Sequence, residues 1–228
     1  MAVNTRSESF FFNITLVLIA CIFAGFGSAA LFLDQFVYPP NPLLVFHGVI
    51  TLGWFVLTAS QARMIRNSRF DLHRKMGAAS VVLALLIVVT GYFVVKDMIA
   101  KPTSSIAGFT PAGSTIFPTM DLLGFVLFYI LAIANRKTAA AHKRLIILAG
   151  MMMLPPATAR LGLTIGFEPL PAVAIFGLVA AMLIYDWRTR GRPHWASVLG
   201  LIVGVGGTPV RFLLGPSDGW VRFAEALY

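Results

Sequence analysis

Long apolar blocks restrict the fold of this chain more than any other feature. Each is roughly the 20 residues that an α-helix needs to cross the hydrocarbon core of a bilayer. Backbone polar groups in lipid must be satisfied within the structure, so such blocks become helices. We therefore predict an all-α bundle of seven transmembrane helices in a single domain, 1–228, with spans at about 10–33, 43–66, 74–96, 118–136, 143–165, 170–187 and 195–214.

The basic residues predict the orientation of these helices. Cytoplasmic loops of membrane proteins carry an excess of Lys and Arg. Of the 18 such residues here, thirteen lie at the N-terminus or around the second, fourth and sixth connections: Arg6, Arg63, Arg66, Arg69, Arg74, Lys75, Arg136, Lys137, Lys143, Arg144, Arg188, Arg190 and Arg192. We expect a cytoplasmic N-terminus and an outside C-terminus in a bacterial inner membrane. The net charge of +9 is then a topology signal, and it indicates the lipid bilayer rather than nucleic acid as partner.

The first block has a second interpretation, as a cleaved signal peptide. Arg6 precedes the apolar run, and residues 27–30 (GSAA) have the small side chains of a cleavage site. Cleavage would leave six spans. Because the run continues to Leu33, we expect a retained helix instead.

Polar residues inside the spans form a candidate ligand site toward the outer face. A rise of ~1.5 Å per residue places five of them at a similar depth: His47, Tyr92, Asp121, Arg160 and Arg211. Charges inside spans usually face the bundle interior and mark functional sites. Two arginines and one aspartate leave a positive surplus, which suits a carboxylate, a haem propionate or a lipid phosphate. In one alternative, Asp121 only neutralises one arginine, and both arginines extend their charged ends to the membrane interface. In another, these residues line a path for protons or ions.

Three histidines form a second candidate layer, at the cytoplasmic face. His73, His142 and His194 each lie beside a basic connection at the start of a span. This recurrence suggests three related helical hairpins (spans 2–3, 4–5 and 6–7) after an extra first helix. The three imidazoles could bind zinc or iron, or two of them could be the axial ligands of a haem b. Adjacent cations oppose metal binding, and a role as interfacial residues is the alternative.

Other residues exclude several kinds of chemistry. Cys21 is the single cysteine, which excludes an intrachain disulfide and any cysteine-based zinc or iron–sulfur site. No lysine lies in the interior of a predicted span, away from its ends, so a retinal Schiff base is excluded. Residues 155–156, a proline pair, should break or kink the fifth span about one turn before Arg160 and free backbone carbonyls there.

The pattern of residues resembles a widespread family of bacterial seven-helix membrane proteins of uncharacterised function. The resemblance covers most of the chain and rests on His47, Trp54, Gln61, and the runs 72–77 (LHRKMG), 141–145 (AHKRL), 155–160 (PPATAR), 185–186 (YD) and 190–194 (RGRPH). It implies no activity. The helix pair from His47 to His73 is also loosely similar to b-type membrane cytochromes, in which histidines near both faces ligate two haems. His47 has no second histidine in the outer half, which argues against an outer bis-histidine haem.

Three functional hypotheses follow. The first is a membrane protein that binds a haem or a quinone-like small molecule in a redox role, in which Arg160 and Arg211 orient the ligand while His47 and Asp121 handle protons. The second is a metal-dependent membrane enzyme acting on a lipid-like substrate with the cytoplasmic histidines. The third is a transporter or assembly factor without a cofactor, which the lack of a clear inverted repeat disfavours. The sequence leaves open whether any reaction is catalysed and which proteins are partners.

Overall fold

The described chain is built from helices. The computed structural model describes residues 5–32, 41–101 and 105–228, and no strand occurs within these ranges. The first helices are α1 (Thr5–Leu31), α2 (Pro42–Arg66), α3 (Phe70–Ile99), α4 (Pro111–Ser114) and α5 (Ile116–Ala134). The later ones are α6 (Ala139–Met151), α7 (Pro155–Ile165), α8 (Leu170–Arg190), α9 (Trp195–Gly200), α10 (Gly207–Leu214) and α11 (Asp218–Leu227), with a π-helical turn, Leu201–Val205, between α9 and α10.

Six of the described helical segments are long and apolar enough to cross a membrane, or seven if α6 and α7 form one bent span. Large apolar side chains lie on the outside of the bundle; Leu85 is 66% exposed and Leu213 is 74% exposed. Extended apolar surface of this kind indicates contact with lipid. The all-α, multi-pass prediction is therefore supported, whereas the orientation of the termini stays a prediction. The predicted end of the first span, Leu33, lies outside the described residues.

The predicted break in the fifth span is present. Pro155 and Pro156 have no backbone N–H, so they cannot continue the hydrogen-bond ladder of α6. The backbone N–H of Leu154 instead donates to the carbonyl of Met151 at 3.1 Å, which tightens the last turn. The chain restarts as α7 with the proline pair in its first turn, where a missing N–H is tolerated. The axes of α6 and α7 differ by 48°.

The core is centred on α1, α2, α5 and α6, and α3, α7, α8 and α9 each add buried apolar side chains to it. Its largest fully buried side chains include Trp54, Phe55, Phe125 and Phe128. The rings of Trp54 and Phe125 meet edge to face with centroids 5.5 Å apart, a favourable arrangement for aromatic pairs. This core holds α2 and α5 in fixed positions, and both helices contribute to the sites described below.

The two ends of the bundle differ in composition. The connections 67–69, 135–138 and 191–194 form what we call the basic face, which is the predicted cytoplasmic side. The opposite face carries α4 and the C-terminal helix α11. Tyr228, next to α11, shares a hydrogen bond of 2.8 Å with Thr119 of α5. The hydroxyl of Tyr92 on α3 donates to the carbonyl of Leu227 at 2.8 Å, so α11 is tied to two spans.

Candidate functional site

Two of the three predicted cytoplasmic histidines meet at the basic face. His73 lies in the first turn of α3 and His142 in the first turn of α6. Their ring centroids are 6.5 Å apart and the ring planes are almost perpendicular, at 88°. Both side chains are partly buried. The fold thus brings together two imidazoles from helices that are distant in sequence.

Hydrogen bonds orient both rings of this histidine pair. Nδ1 of His142 donates to the carbonyl of Ala132 at 2.8 Å, which leaves the lone pair on Nε2. The side-chain amide of Gln61, on α2, lies against Nδ1 of His73. When its nitrogen points toward His73, it donates to the His73 carbonyl at 2.9 Å, and its oxygen accepts from the Gly77 N–H at 3.2 Å. Each ring is therefore held through Nδ1, but with opposite roles. His142 donates from Nδ1 and keeps its lone pair on Nε2 for a ligand. Nδ1 of His73 accepts from the Gln61 amide in this orientation, so a neutral His73 carries its proton on Nε2.

The third histidine, His194, belongs to a buried polar cluster. The Asp186 carboxylate accepts hydrogen bonds from Nε and Nη2 of Arg144, from the backbone N–H of His194 and from the Ser197 hydroxyl. Nδ1 of His194 accepts from the Ala196 N–H at 3.1 Å and so caps α9. All of these residues are buried. This cluster, Arg144–Asp186–His194–Ser197, joins α6, α8 and α9.

No group of three His, Cys, Asp or Glu side chains in the described ranges is arranged to hold a metal ion. His73 and His142 share a contact, while His194 is committed to the Asp186 cluster. Of the three histidines predicted to bind zinc or iron, the structure thus places His73 and His142 next to each other and His194 elsewhere. The metal site stays a prediction.

Lowering the pH should destabilise the protein through His194. Burial, with the nearby Arg144 and Arg190, lowers the pKa of His194 from 6.5 to about 4. Between these values the unfolded chain binds a proton that the folded chain does not. The stability that neutral His194 contributes is thus fully present above pH 6.5. As the pH falls toward 4, the free energy of unfolding decreases by up to about 3 kcal/mol. The melting temperature of the detergent-solubilised protein, measured across this range, tests the effect.

The variant His194→Asn is the control for this pH effect. Asparagine is a good N-cap residue and keeps the backbone N–H that bonds Asp186, but it has no proton to gain. Its melting temperature should fall less steeply between pH 6.5 and 4 than that of the wild type. If the melting temperatures of the two proteins fell equally with pH, the assignment of the pH effect to His194 would be contradicted.

At the opposite face, the structure pairs Asp121 with Arg211. Nη2 of Arg211 donates to Oδ1 of Asp121 at 2.6 Å, and both side chains are buried. The π-helical turn precedes Arg211 in the last span, and such insertions often occur near functional sites. Nε of Arg211 has no hydrogen-bond partner in the described part of the chain. Because Asp121 neutralises Arg211, this pair alone has no surplus of positive charge.

The other members of the predicted outer layer have different neighbours. Nδ1 of His47 shares a hydrogen bond of 2.7 Å with the Thr90 hydroxyl of α3. Tyr92 contacts the C-terminal helix, as described above. The Arg160 guanidinium donates to the carbonyl of Pro156 at 2.7 Å and lies 4.8 Å from the centre of the Phe26 ring. The layer was predicted from the depth of each residue along its helix. Depth does not specify the direction in which a side chain points.

A polar stripe on α2 was not recognised from the sequence. Its members follow one another at intervals of four, three, four and three residues: His47, Thr51, Trp54, Thr58 and Gln61. Residues spaced in this way share one helical face. The stripe reaches from the His47–Thr90 contact to the Gln61–His73 contact, both with α3. The regular polar spacing within an apolar helix was the signal that could have revealed it.

Comparisons with known proteins add no assignment. No protein-family model, no curated protein and no solved structure matches the chain.

Proposed function

We propose that this is a membrane electron-transfer protein that holds one b-type haem between His73 and His142. The observation that supports this is the distance between the two rings. Two metal–nitrogen bonds of ~2 Å each, plus the distance from each ring nitrogen to its ring centre, separate the centroids by roughly 6 Å. The observed separation is 6.5 Å.

A ligand set of two histidines suits haem in particular. A porphyrin supplies four nitrogens to its iron, so the protein needs to add only the axial ligands. Structural and catalytic zinc sites, in contrast, usually take three or four ligands from the protein. His73 and His142 are the pair that the fold supplies.

The surroundings of His142 are those expected of an axial ligand. Metal-bound histidines usually donate their second ring N–H to a carbonyl or carboxylate, which sets the tautomer and the ring orientation. The Ala132 carbonyl has this role for His142. For His73 to present the Nε2 lone pair to iron, its proton would move to Nδ1 and the Gln61 amide would turn its oxygen toward that nitrogen. This rotation would exchange the amide's hydrogen bonds with the His73 carbonyl and the Gly77 N–H for one with Nδ1. Arg74, which is ion-paired with Asp71, and Lys143 follow the two histidines in the chain and would add positive charge at the same face.

Two axial histidines favour electron transfer over catalysis at the iron. When both axial positions are filled by the protein, no position is open for a substrate. The placement near one membrane face then suits the exchange of electrons with a partner on that side or with a lipid-soluble carrier.

An optical difference spectrum tests the haem proposal. The wild-type protein, expressed with a haem precursor, should show the sharp α-band of a reduced b-type haem after dithionite is added. His73→Ala and His142→Ala should each lose this band, because one axial ligand cannot hold the low-spin iron.

The matched control is His194→Asn, which changes the third histidine of the basic face but keeps the cap of α9. It should retain the wild-type spectrum. A wild-type protein without pigment, or a double variant His73→Ala/His142→Ala that still binds haem with the same spectrum, would rule the proposal out.

A further inference from the structure

We propose that the outer half of the α2 stripe binds the headgroup of a para-quinone or of its hydroquinone, through His47, Thr51 and Trp54. The proposal rests on the proposed redox function, because such a carrier would exchange electrons with the haem. The proposed site shares His47 with the predicted outer layer but uses neither of its arginines. It is formed by three polar atoms on one helical face.

Two of these atoms are buried hydrogen-bond donors. Neither the Thr51 hydroxyl nor the Trp54 indole N–H has a partner within residues 5–32, 41–101 and 105–228. Trp54 is only 1% exposed. A buried polar group without a partner is destabilising, so native proteins seldom leave two of them one helical turn apart. An acceptor from a bound molecule would satisfy both.

The third atom is a hydrogen-bond acceptor. The single hydroxyl proton of Thr90 is donated to the carbonyl of Leu86, at 2.6 Å. Thr90 must therefore accept the proton of His47 Nδ1, at 2.7 Å. The lone pair of His47 is then on Nε2, which receives no hydrogen bond from the described residues. Nε2 can accept a proton from a hydroxyl group.

The spacing of these atoms fits a flat molecule with an oxygen at each end. His47 and Thr51 are four residues apart, about 6 Å along the helix axis, which is comparable to the span across a para-quinone ring. Gly91 lets the backbone of α3 approach the His47 ring, because an added Cβ there would lie 3.5 Å from Cε1 of His47. The buried rings of Trp54 and Phe125 pack edge to face beside the Trp54 indole N–H. Carbonyl oxygens of the quinone would accept from Thr51 and Trp54, and a hydroxyl of the hydroquinone would donate to His47.

The test is the binding of decylubiquinone, a short-tailed benzoquinone, to the purified protein in phosphatidylcholine nanodiscs. Binding is followed by the quenching of tryptophan fluorescence. Thr51→Val keeps the shape of the side chain and every tryptophan but removes the hydroxyl. It should weaken binding about tenfold. Because it removes an unpartnered buried group, its melting temperature should equal or exceed that of the wild type.

Thr58→Val is the matched control, on the same stripe. The Thr58 hydroxyl already donates to the Trp54 carbonyl at 2.9 Å, so its loss should leave quinone affinity unchanged. Equal affinities for the wild type and both variants would overturn the proposal. So would a wild type without saturable quenching, or a Thr51→Val variant with a lowered melting temperature.

The haem spectrum separates this proposal from the proposed function. Thr51→Val should retain the reduced α-band whether or not it binds quinone. Saturable quinone binding in a protein without haem would sustain the site while the haem proposal fails.

Discussion

Asp186→Ala should destabilise the folded protein by about 3–5 kcal/mol, the usual effect of removing one partner from a buried ion pair. The Asp186 side chain is fully buried, and the Arg144 side chain is 3% exposed. Without the carboxylate, the Arg144 guanidinium would remain charged in an environment that excludes water. The backbone N–H of His194 and the Ser197 hydroxyl would also lose their acceptor. We expect the start of α9 to detach from the N-terminal part of α6 and the C-terminal part of α8.

Thermal unfolding in detergent, compared with Asp71→Ala, measures this effect. Asp71 also forms an ion pair with an arginine, Arg74, but both side chains are exposed, at 86% and 73%. Exposed pairs contribute about 0–1 kcal/mol, so Asp71→Ala should behave almost as the wild type does. In the double variant Arg144→Met/Asp186→Ala, the loss should be smaller than the sum of the single losses, because no isolated charge remains. Equal melting temperatures for Asp186→Ala and Asp71→Ala would show that burial of the pair is irrelevant.

Gly25→Ala should separate α1 from α7. A Cβ at position 25 would lie 2.5 Å from the carbonyl carbon and 2.8 Å from the Cα of Ala157. Real Cβ atoms do not approach backbone so closely, so one of the two helices must move. Overpacking of this kind typically costs about 1–3 kcal/mol. The effect should be at the upper end, because the obstacle is backbone rather than a flexible side chain.

Gly27→Ala is the control for this substitution. It adds the same methyl group to the same helix, and a Cβ at position 27 has no atom within 4 Å. Alanine has the higher helix propensity, by ~1 kcal/mol, so Gly27→Ala should be neutral or slightly stabilising. Resistance to unfolding in SDS ranks the two variants. A Gly25→Ala protein as resistant as Gly27→Ala would contradict the close contact.

The prediction of secondary structure succeeded where local composition decides the outcome. The predicted spans match described helices to within a few residues at most ends, because an apolar block in lipid must form a helix of fixed minimum length. The proline pair at 155–156 broke its helix for an equally local reason, the loss of backbone N–H donors. The π-helical turn, Leu201–Val205, was not predicted, since it depends on how the last span packs.

The prediction of sites depended on contacts that are not local. His73, His142 and His194 looked equivalent in the sequence, since each lies beside a basic connection. The fold places two of them against each other and commits the third to Asp186. Similarly, five polar residues are predicted to share a depth toward the outer face, and among them the structure describes an ion pair between Asp121 and Arg211.

By itself, the amino-acid sequence determined that the described chain is helical, where its long apolar helices lie and where the proline pair interrupts one of them. These properties follow from the length and polarity of each segment and from the chemistry of proline. The tertiary structure decided which polar side chains meet. That outcome depends on the rotation of each helix about its axis and on its choice of neighbours, and both are set by packing across the whole bundle rather than by any one segment.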